Sequence, residues 1–360
     1  MRVRGLSLVE LMISLALGSL IVLAALTLLS TQSSQLRDQV QKTTLQESGR
    51  LSLDLIGAHI RLAGFYGTMD EGDGLTNVAS VGLAAGSGCT GLITTPGQVI
   101  PTALAAASGT NAAQGLVVRQ FATVLEATGT YDCINAANID VSSPVLEIHS
   151  VDGVPVMPQA GVAPPNDGYY VQASPGGGQL FFGVTDYDAL VASFQDRVYA
   201  DGVTPVEVMR WQPAIYYVKP CSVVNGNCTG VDGIPSLVRQ RLVVPSAGAA
   251  PRMMEEILIE GVERIEYSLG IGTAGQLERF VAVDDPLMLT NSAGDWAEVL
   301  AVRVTAVVRE LGNHDNSATL TSSVTLPSGT TWNCNQSTTG ACDSDRSLYT
   351  GTFNIRNRLL

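Results

Sequence analysis

The sequence predicts an α+β fold: one long amino-terminal helix ahead of a β-rich domain built on an antiparallel sheet. Three observations carry this. From Leu6 to Leu29 the chain is apolar apart from Glu10, and from Ser30 to Ala63 no proline interrupts it. From Gly64 onward the texture changes to glycine, small residues and short runs rich in β-branched side chains. Several of those runs alternate with period two: Val302, Val304, Ala306 and Val308 fall on one face, and Arg303, Thr305, Val307 and Arg309 on the other.

The apolar run Leu6 to Leu29 reaches about 36 Å as a helix, enough to cross a hydrocarbon core of ~30 Å. A secretory signal fits it less well. Such h-regions are about 7 to 15 residues long, end at a small-residue site and have no use for a carboxylate near their start. Beyond Ser30 the helix is expected to continue. Asp38 with Lys42 and Arg50 with Asp54 stand at i,i+4, and Leu36 with Val40, Leu51 with Leu55 and Ile56 with Ile60 repeat the same spacing. The apolar stripe broadens after Leu51, so that end should lie against a domain while the middle stays wetted. Gly64 and Gly67 close the element. Residues 6–63 would form one spine of about 87 Å. Gly49 and Gly57, each weakening a helix by about 1 kcal/mol, leave open an anchor followed by a separate short helix.

Strands are expected at Gly115 to Thr123, Pro144 to Val151, Leu180 to Val184, Val206 to Val218, Ser236 to Val244, Ile265 to Ile271 and Glu298 to Arg309. Asp70 to Gly74 and Ala84 to Gly91 read as loops, and Thr102 to Ala113 as a short helix or a covering loop. In CSVVNGNC the pair Asn225-Gly226 suits a tight turn. Val262, Ile265 and Tyr267 read as core. No repeat of fixed period is visible.

The balance of charge excludes a broad nucleic-acid footprint: 33 Asp+Glu stand against 20 Lys+Arg, for a net charge of −13. Only Lys42 and Lys219 are lysines. Six cysteines, at 89, 133, 221, 228, 334 and 342, all follow the apolar run; on the far side of a membrane they would meet a compartment where disulfides persist. Sequence leaves several connectivities open. Closeness favours Cys221 with Cys228 and Cys334 with Cys342, leaving Cys89 with Cys133. As zinc ligands they lack close pairs, and the three histidines are scattered. His59 falls on the helix, His149 in a strand and His314 in a polar loop, so no catalytic constellation with serine or cysteine can be built. Ser174 to Gly178 (SPGGG) lacks the lysine of a phosphate loop and reads as a turn. Asp70, Glu71 and Asp73 are half of a calcium loop without its terminal glutamate. No cofactor or metal is expected, and no enzymatic activity.

The junction Gly5-Leu6-Ser7-Leu8-Val9-Glu10 resembles the prepilin peptidase site of type IV filament proteins: a short basic leader, glycine before the cut, an apolar first mature residue and a glutamate four residues on. The resemblance implies removal of residues 1–5, N-methylation of Leu6, and pairing of Glu10 with the terminal ammonium of a neighbouring subunit during assembly. Pairing explains the buried charge. A carboxylate at the centre of a spanning helix costs roughly 2.5 to 3.5 kcal/mol, a cost that falls when a partner neutralises it. The resemblance further implies a pilin-like lollipop: residues 6–29 as transmembrane and filament-core helix, 30–63 as its amphipathic continuation, and 64–360 as a periplasmic, later extracellular, β-rich domain with long loops and disulfides.

Farther on, EEILIEGVERIEYSLG, WAEVLAVRVTAVVRE and LYTGTFNIRNRL resemble, in order and spacing, the carboxyl-terminal part of PilW-type minor pilins. J-type pseudopilins of type II secretion share the first two motifs; the closing Asn354 to Arg358 (NIRNR) and the size of the domain favour the pilins. The implied function is a place in the priming and tip complex of a type IV pilus, supporting assembly, twitching motility and adhesion. The implied partners are prepilin peptidase, the inner membrane, other minor pilins and a PilY-type tip adhesin. A pseudopilin, or a membrane-tethered periplasmic binding protein or hydrolase, are the alternatives.

Overall fold

The computed structural model describes residues 7–69, 75–77, 79, 89, 115–123, 125–126, 131–157, 164–174, 177–189, 206–245, 249–285, 288, 298–311, 323–334 and 344–356. Helix α1 runs unbroken over Leu8–Leu62. It stops where Gly64 adopts φ +72°, the left-handed stop that glycine takes without a Cβ penalty. Gly64 N then donates to His149 O at 2.9 Å, tying the helix end to the domain.

Among the described residues the rest of the chain forms three main sheets. In the first, β1 (Leu75–Asn77), β4 (Val151–Met157), β5 (Tyr169–Ser174), β6 (Gly177–Phe182) and β7 (Val208–Trp211) lie in the order β1-β6-β5-β7-β4. Only its β1–β6 pair is parallel among the described pairings. The second, wholly antiparallel, has β2 (Leu116–Arg119), β3 (Val145–Ile148), β8 (Ala214–Lys219), β9 (Ser236–Val243) and β10 (Arg252–Glu260) in the order β10-β9-β8-β3-β2. The third orders β11 (Val262–Thr273), β12 (Gln276–Ala282), β13 (Val299–Arg309) and β16 (Arg346–Asn354) as β12-β11-β13-β16. A short hairpin of β14 (Ser323–Thr325) and β15 (Thr331–Asn333) and a helix α2 (Gly183–Ala189) complete it. One hydrophobic cluster runs from Leu45, Ile56 and Ile60 of α1 through Ile148, Tyr216 and Val238 to Val304 and Phe353.

The α+β class and the long apolar helix agree with the sequence; the single sheet gives way to three. Val206 to Val218 is two strands in different sheets, broken at Gln212-Pro213, where Gln212 N turns to Ser150 O at 2.8 Å and proline has no N–H for a ladder. Pro144 to Val151 likewise divides between β3 and β4. The two crossovers touch through that Gln212–Ser150 bond. Leu180 to Val184 ends early because Gly183, at φ +46°, starts α2. Of the SPGGG stretch, Ser174 pairs with Gly177 in the β5–β6 ladder, and residues 175 and 176 lie outside the described residues. Cys89 is bonded to Cys133 and Cys221 to Cys228. Cys334 is disulfide-bonded too, whereas Cys342, His314, Asp70 to Gly74, Thr102 to Ala113 and, apart from Cys89, Ala84 to Gly91 lie outside the described residues.

Candidate functional site

The amino-terminal half of α1 is bare. From Leu8 to Leu29 its apolar side chains stand more than half exposed, and an apolar stretch long enough to cross a membrane has none of its surface covered by the domain. A helix apolar on all sides needs a cover from outside the chain, lipid or other helices. Glu10 sits in its first turn, exposed, with a carboxylate oxygen 3.4 Å from Ser7 N. Gly5 and Leu6 lie outside the described residues.

The other half of α1 is seated on the third sheet. Leu45, Gly49, Ser52, Ile56 and Ile60, spaced by three or four, are buried, so they form one stripe of the helix. Below them Tyr349, Gly351 and Phe353 alternate along β16 and therefore share one face. The helix glycines make room for the strand's rings. A Cβ on Gly57 would stand 2.5 Å from Phe353 Cδ1 and Cζ and nearer still to Cε1, and one on Gly49 would meet the ring of Tyr349. Phe353 is held from two further sides, by the Arg61 guanidinium 5.1 Å from its centroid and by Gly351, whose added Cβ would lie 2.9 Å from its Cζ. Ser52 satisfies its buried hydroxyl locally, donating to Gly49 O at 2.7 Å.

A buried ionic fork fixes where β16 begins. Arg346 donates through Nε and Nη2 to the two carboxylate oxygens of Glu263, at 2.8 and 2.9 Å, with both side chains fully buried. Arg309 stands 3.7 Å from the same carboxylate and donates to Gly233 O. The β11–β13 pairing shifts register around Glu263, between Val262 and Arg264. Next to it Gly261, at φ +86°, exchanges backbone bonds with Pro235 O and Arg309 N, each at 2.7 Å; a Cβ there would stand 2.6 Å from Arg309 O. Thus the EGVER segment anchors Arg346, and Arg346 sets the register that brings Tyr349 and Phe353 under the helix.

Two histidines knit the helix end to the other sheets. His59 Nδ1 is hydrogen-bonded to the Tyr216 hydroxyl; burial, and then the positive charge of Arg239, hold its pKa below the ordinary histidine value. His149 Nε2 lies 2.5 Å from Glu147 Oε1, and Tyr131 donates to Glu147 Oε2 at 3.1 Å. A second buried ion pair, Lys219 to Glu255 at 2.6 Å, carries the CSVVNGNC loop, since Asn225 N donates to the same carboxylate at 2.8 Å. Among the described residues no group of three His, Cys, Asp or Glu gathers as a metal set.

Sequence reasoning picked out Glu10, the apolar helix and the packing of its far end against a domain, but not the strand and glycines that form the seat. Its trace in the sequence is the pair of small residues at 49 and 57, two turns apart, and the alternation Tyr349-x-Gly351-x-Phe353. A long helix with a bare apolar half, a lone carboxylate in its first turn and a seated β domain is the architecture that the resemblance to type IV filament prepilins implies. The prokaryotic N-terminal methylation motif matches residues 1–26. The family described as type IV pilus-assembly protein W, PilW, matches residues 215–357, which take in all four strands of the third sheet on which α1 rests. No curated relative and no solved structure matches the chain. The two matches together are those of a PilW-family minor pilin of a type IV pilus, a family whose role is structural assembly. The prepilin motif implies processing by prepilin peptidase and association with other pilins, in a membrane-anchored protein later assembled into the filament.

Proposed function

We propose that this minor pilin works in the priming and tip complex of the pilus, and through it supports extension, twitching motility and adhesion. The mature chain begins at a methylated Leu6, its domain faces the periplasm before assembly, and Glu10 pairs with the terminal ammonium of a neighbour. What carries the reading is the lone carboxylate of Glu10 on a helix otherwise bare and apolar. An unpaired charge there is costly in lipid, and an incoming ammonium offsets the cost, so the carboxylate acts as an assembly signal. A subunit at the outermost tip has nothing ahead of it to pair with. A chain that keeps the glutamate therefore sits behind at least one other minor pilin, its domain touching those neighbours and a PilY-type adhesin. The PilW match favours this place over that of a J-type pseudopilin.

The test is Glu10→Ala in cells lacking the wild-type copy. Export and membrane insertion should persist, since alanine is accepted by the membrane more readily than glutamate, while incorporation into filaments and piliation fall. Normal piliation by the variant, or a filament-fraction protein with Met1 intact by mass spectrometry, would count against the proposal.

A further inference from the structure

Lys219, one of only two lysines in the chain, is fully buried at the end of β8, where lysine is seldom found without a partner. Its Nζ donates to Glu255 Oε1 at 2.6 Å and to the Val223 carbonyl at 2.5 Å. The same Glu255 oxygen takes Asn225 N at 2.8 Å, and the other takes the Tyr217 hydroxyl at 2.9 Å. Two of the bonds that satisfy this buried pair therefore come from the main chain of one loop, CSVVNGNC, closed by the Cys221–Cys228 disulfide. Val223, Val224 and Asn225 are themselves exposed, so the loop turns backbone groups inward and side chains outward. The turn is tight. Asn225 sits at φ +52°, and a Cβ on Gly226 would stand 2.6 Å from Val223 Cγ1. At the loop's ends Ser222 donates from N and Oγ to Asp232, at 3.2 and 2.6 Å, and Cys228 N donates to Asn138 Oδ1 at 3.2 Å.

We infer that the Cys221–Cys228 loop is a redox latch: closed by its disulfide it covers the Lys219–Glu255 pair, and with both thiols free it opens and lets water and small reagents reach the lysine. Two physical effects drive the opening. Ordering a loop without regular structure costs conformational entropy, which the cross-link removes from the open state. A buried ion pair also regains hydration once its cover lifts. Closing the latch passes two electrons and two protons from the two thiols to a disulfide-bearing oxidant, which leaves as a dithiol. Such oxidants belong to the compartment in which the proposed function places the domain. The latch itself is a property of the fold and is independent of any role of Glu10.

The experiment gives the full-length protein in detergent micelles a brief pulse of an amine-reactive ester after partial reduction with a phosphine, and then alkylates the free thiols. Lys42, exposed on α1, is the internal reference. Cleavage after arginine releases residues 211–239, which carry Lys219, Cys221 and Cys228 together, so thiol state and amine label are read on the same molecule. Peptides with both cysteines alkylated should show Lys219 labelled about tenfold or more faster than those with the disulfide intact, while Lys42 labels equally. Cys221→Ser/Cys228→Ser should behave as the reduced form, with the amides of Val304 and Ala306 in β13 still protected from hydrogen exchange, which separates local opening from unfolding. Equal labelling of Lys219 in the open and closed forms, or labelling that arises only when β13 also loses its protection, overturns the latch.

Discussion

Gly57→Ala should loosen the helix from its domain although alanine is the better helix former. In an isolated helix the substitution stabilises by about 1 kcal/mol. Here the new methyl would overlap the Phe353 ring, and the ring has nowhere to go: Gly351 lies under its far edge and Arg61 over its face. Overpacking of this kind costs about 1–3 kcal/mol, so the net effect is a loss of up to about 2 kcal/mol. The decisive measurement is the sign in a second background. Phe353→Ala alone should cost about 3–5 kcal/mol, but it removes the three atoms the methyl would strike, and adding Gly57→Ala should then stabilise by about 1 kcal/mol. The coupling between the two sites is about 1–3 kcal/mol. Because part of α1 belongs in a membrane, global unfolding is a poor gauge. Amide hydrogen exchange at Ile56 and Ile60 in the micelle-embedded full chain reads the local opening directly. Slower exchange in the single variant, or the same sign in both backgrounds, would refute the account of the glycine as a seat for the ring.

Two further outcomes follow from the buried charges. Arg346→Met should destabilise the third sheet by about 3 kcal/mol, toward the lower end for a broken buried pair because Arg309 still stands 3.7 Å from Glu263; Arg346→Lys, which keeps the charge and loses the fork, should fall between, as read by hydrogen exchange along β16. For His59, whose folded pKa lies below the ordinary 6.5, the unfolded state binds the proton more readily, so its contribution is present above that pH and lost as pH falls toward the folded pKa. Opening of the helix end should become easier as pH falls below 6.5, and His59→Gln should flatten that slope; equal slopes in the two proteins would remove His59 as the cause.

The elements legible in the sequence are those whose determinants are local. The spine could be read because no proline interrupts Leu8–Leu62 and its apolar spacing changes where the domain begins. The strand at Val299–Arg309 could be read because β-branched residues crowd it. The strands that escaped are less regular. Tyr169–Ser174 is buried almost throughout and so lacks alternation, Gln276–Ala282 is an exposed edge, and Arg252–Glu260 carries three glutamates.

By itself the sequence determined the helix, the lone carboxylate at Glu10 and the change to β structure after Gly64, because hydropathy, chain stiffness and turn chemistry act over a few residues. The tertiary structure alone decided what Gly49 and Gly57 are for. Judged locally they are weak points in a helix; under Tyr349 and Phe353, about three hundred residues away in the chain, they are the space into which the rings fit. Packing and pairing over long separations are set by the whole folded chain, and no local pattern encodes them.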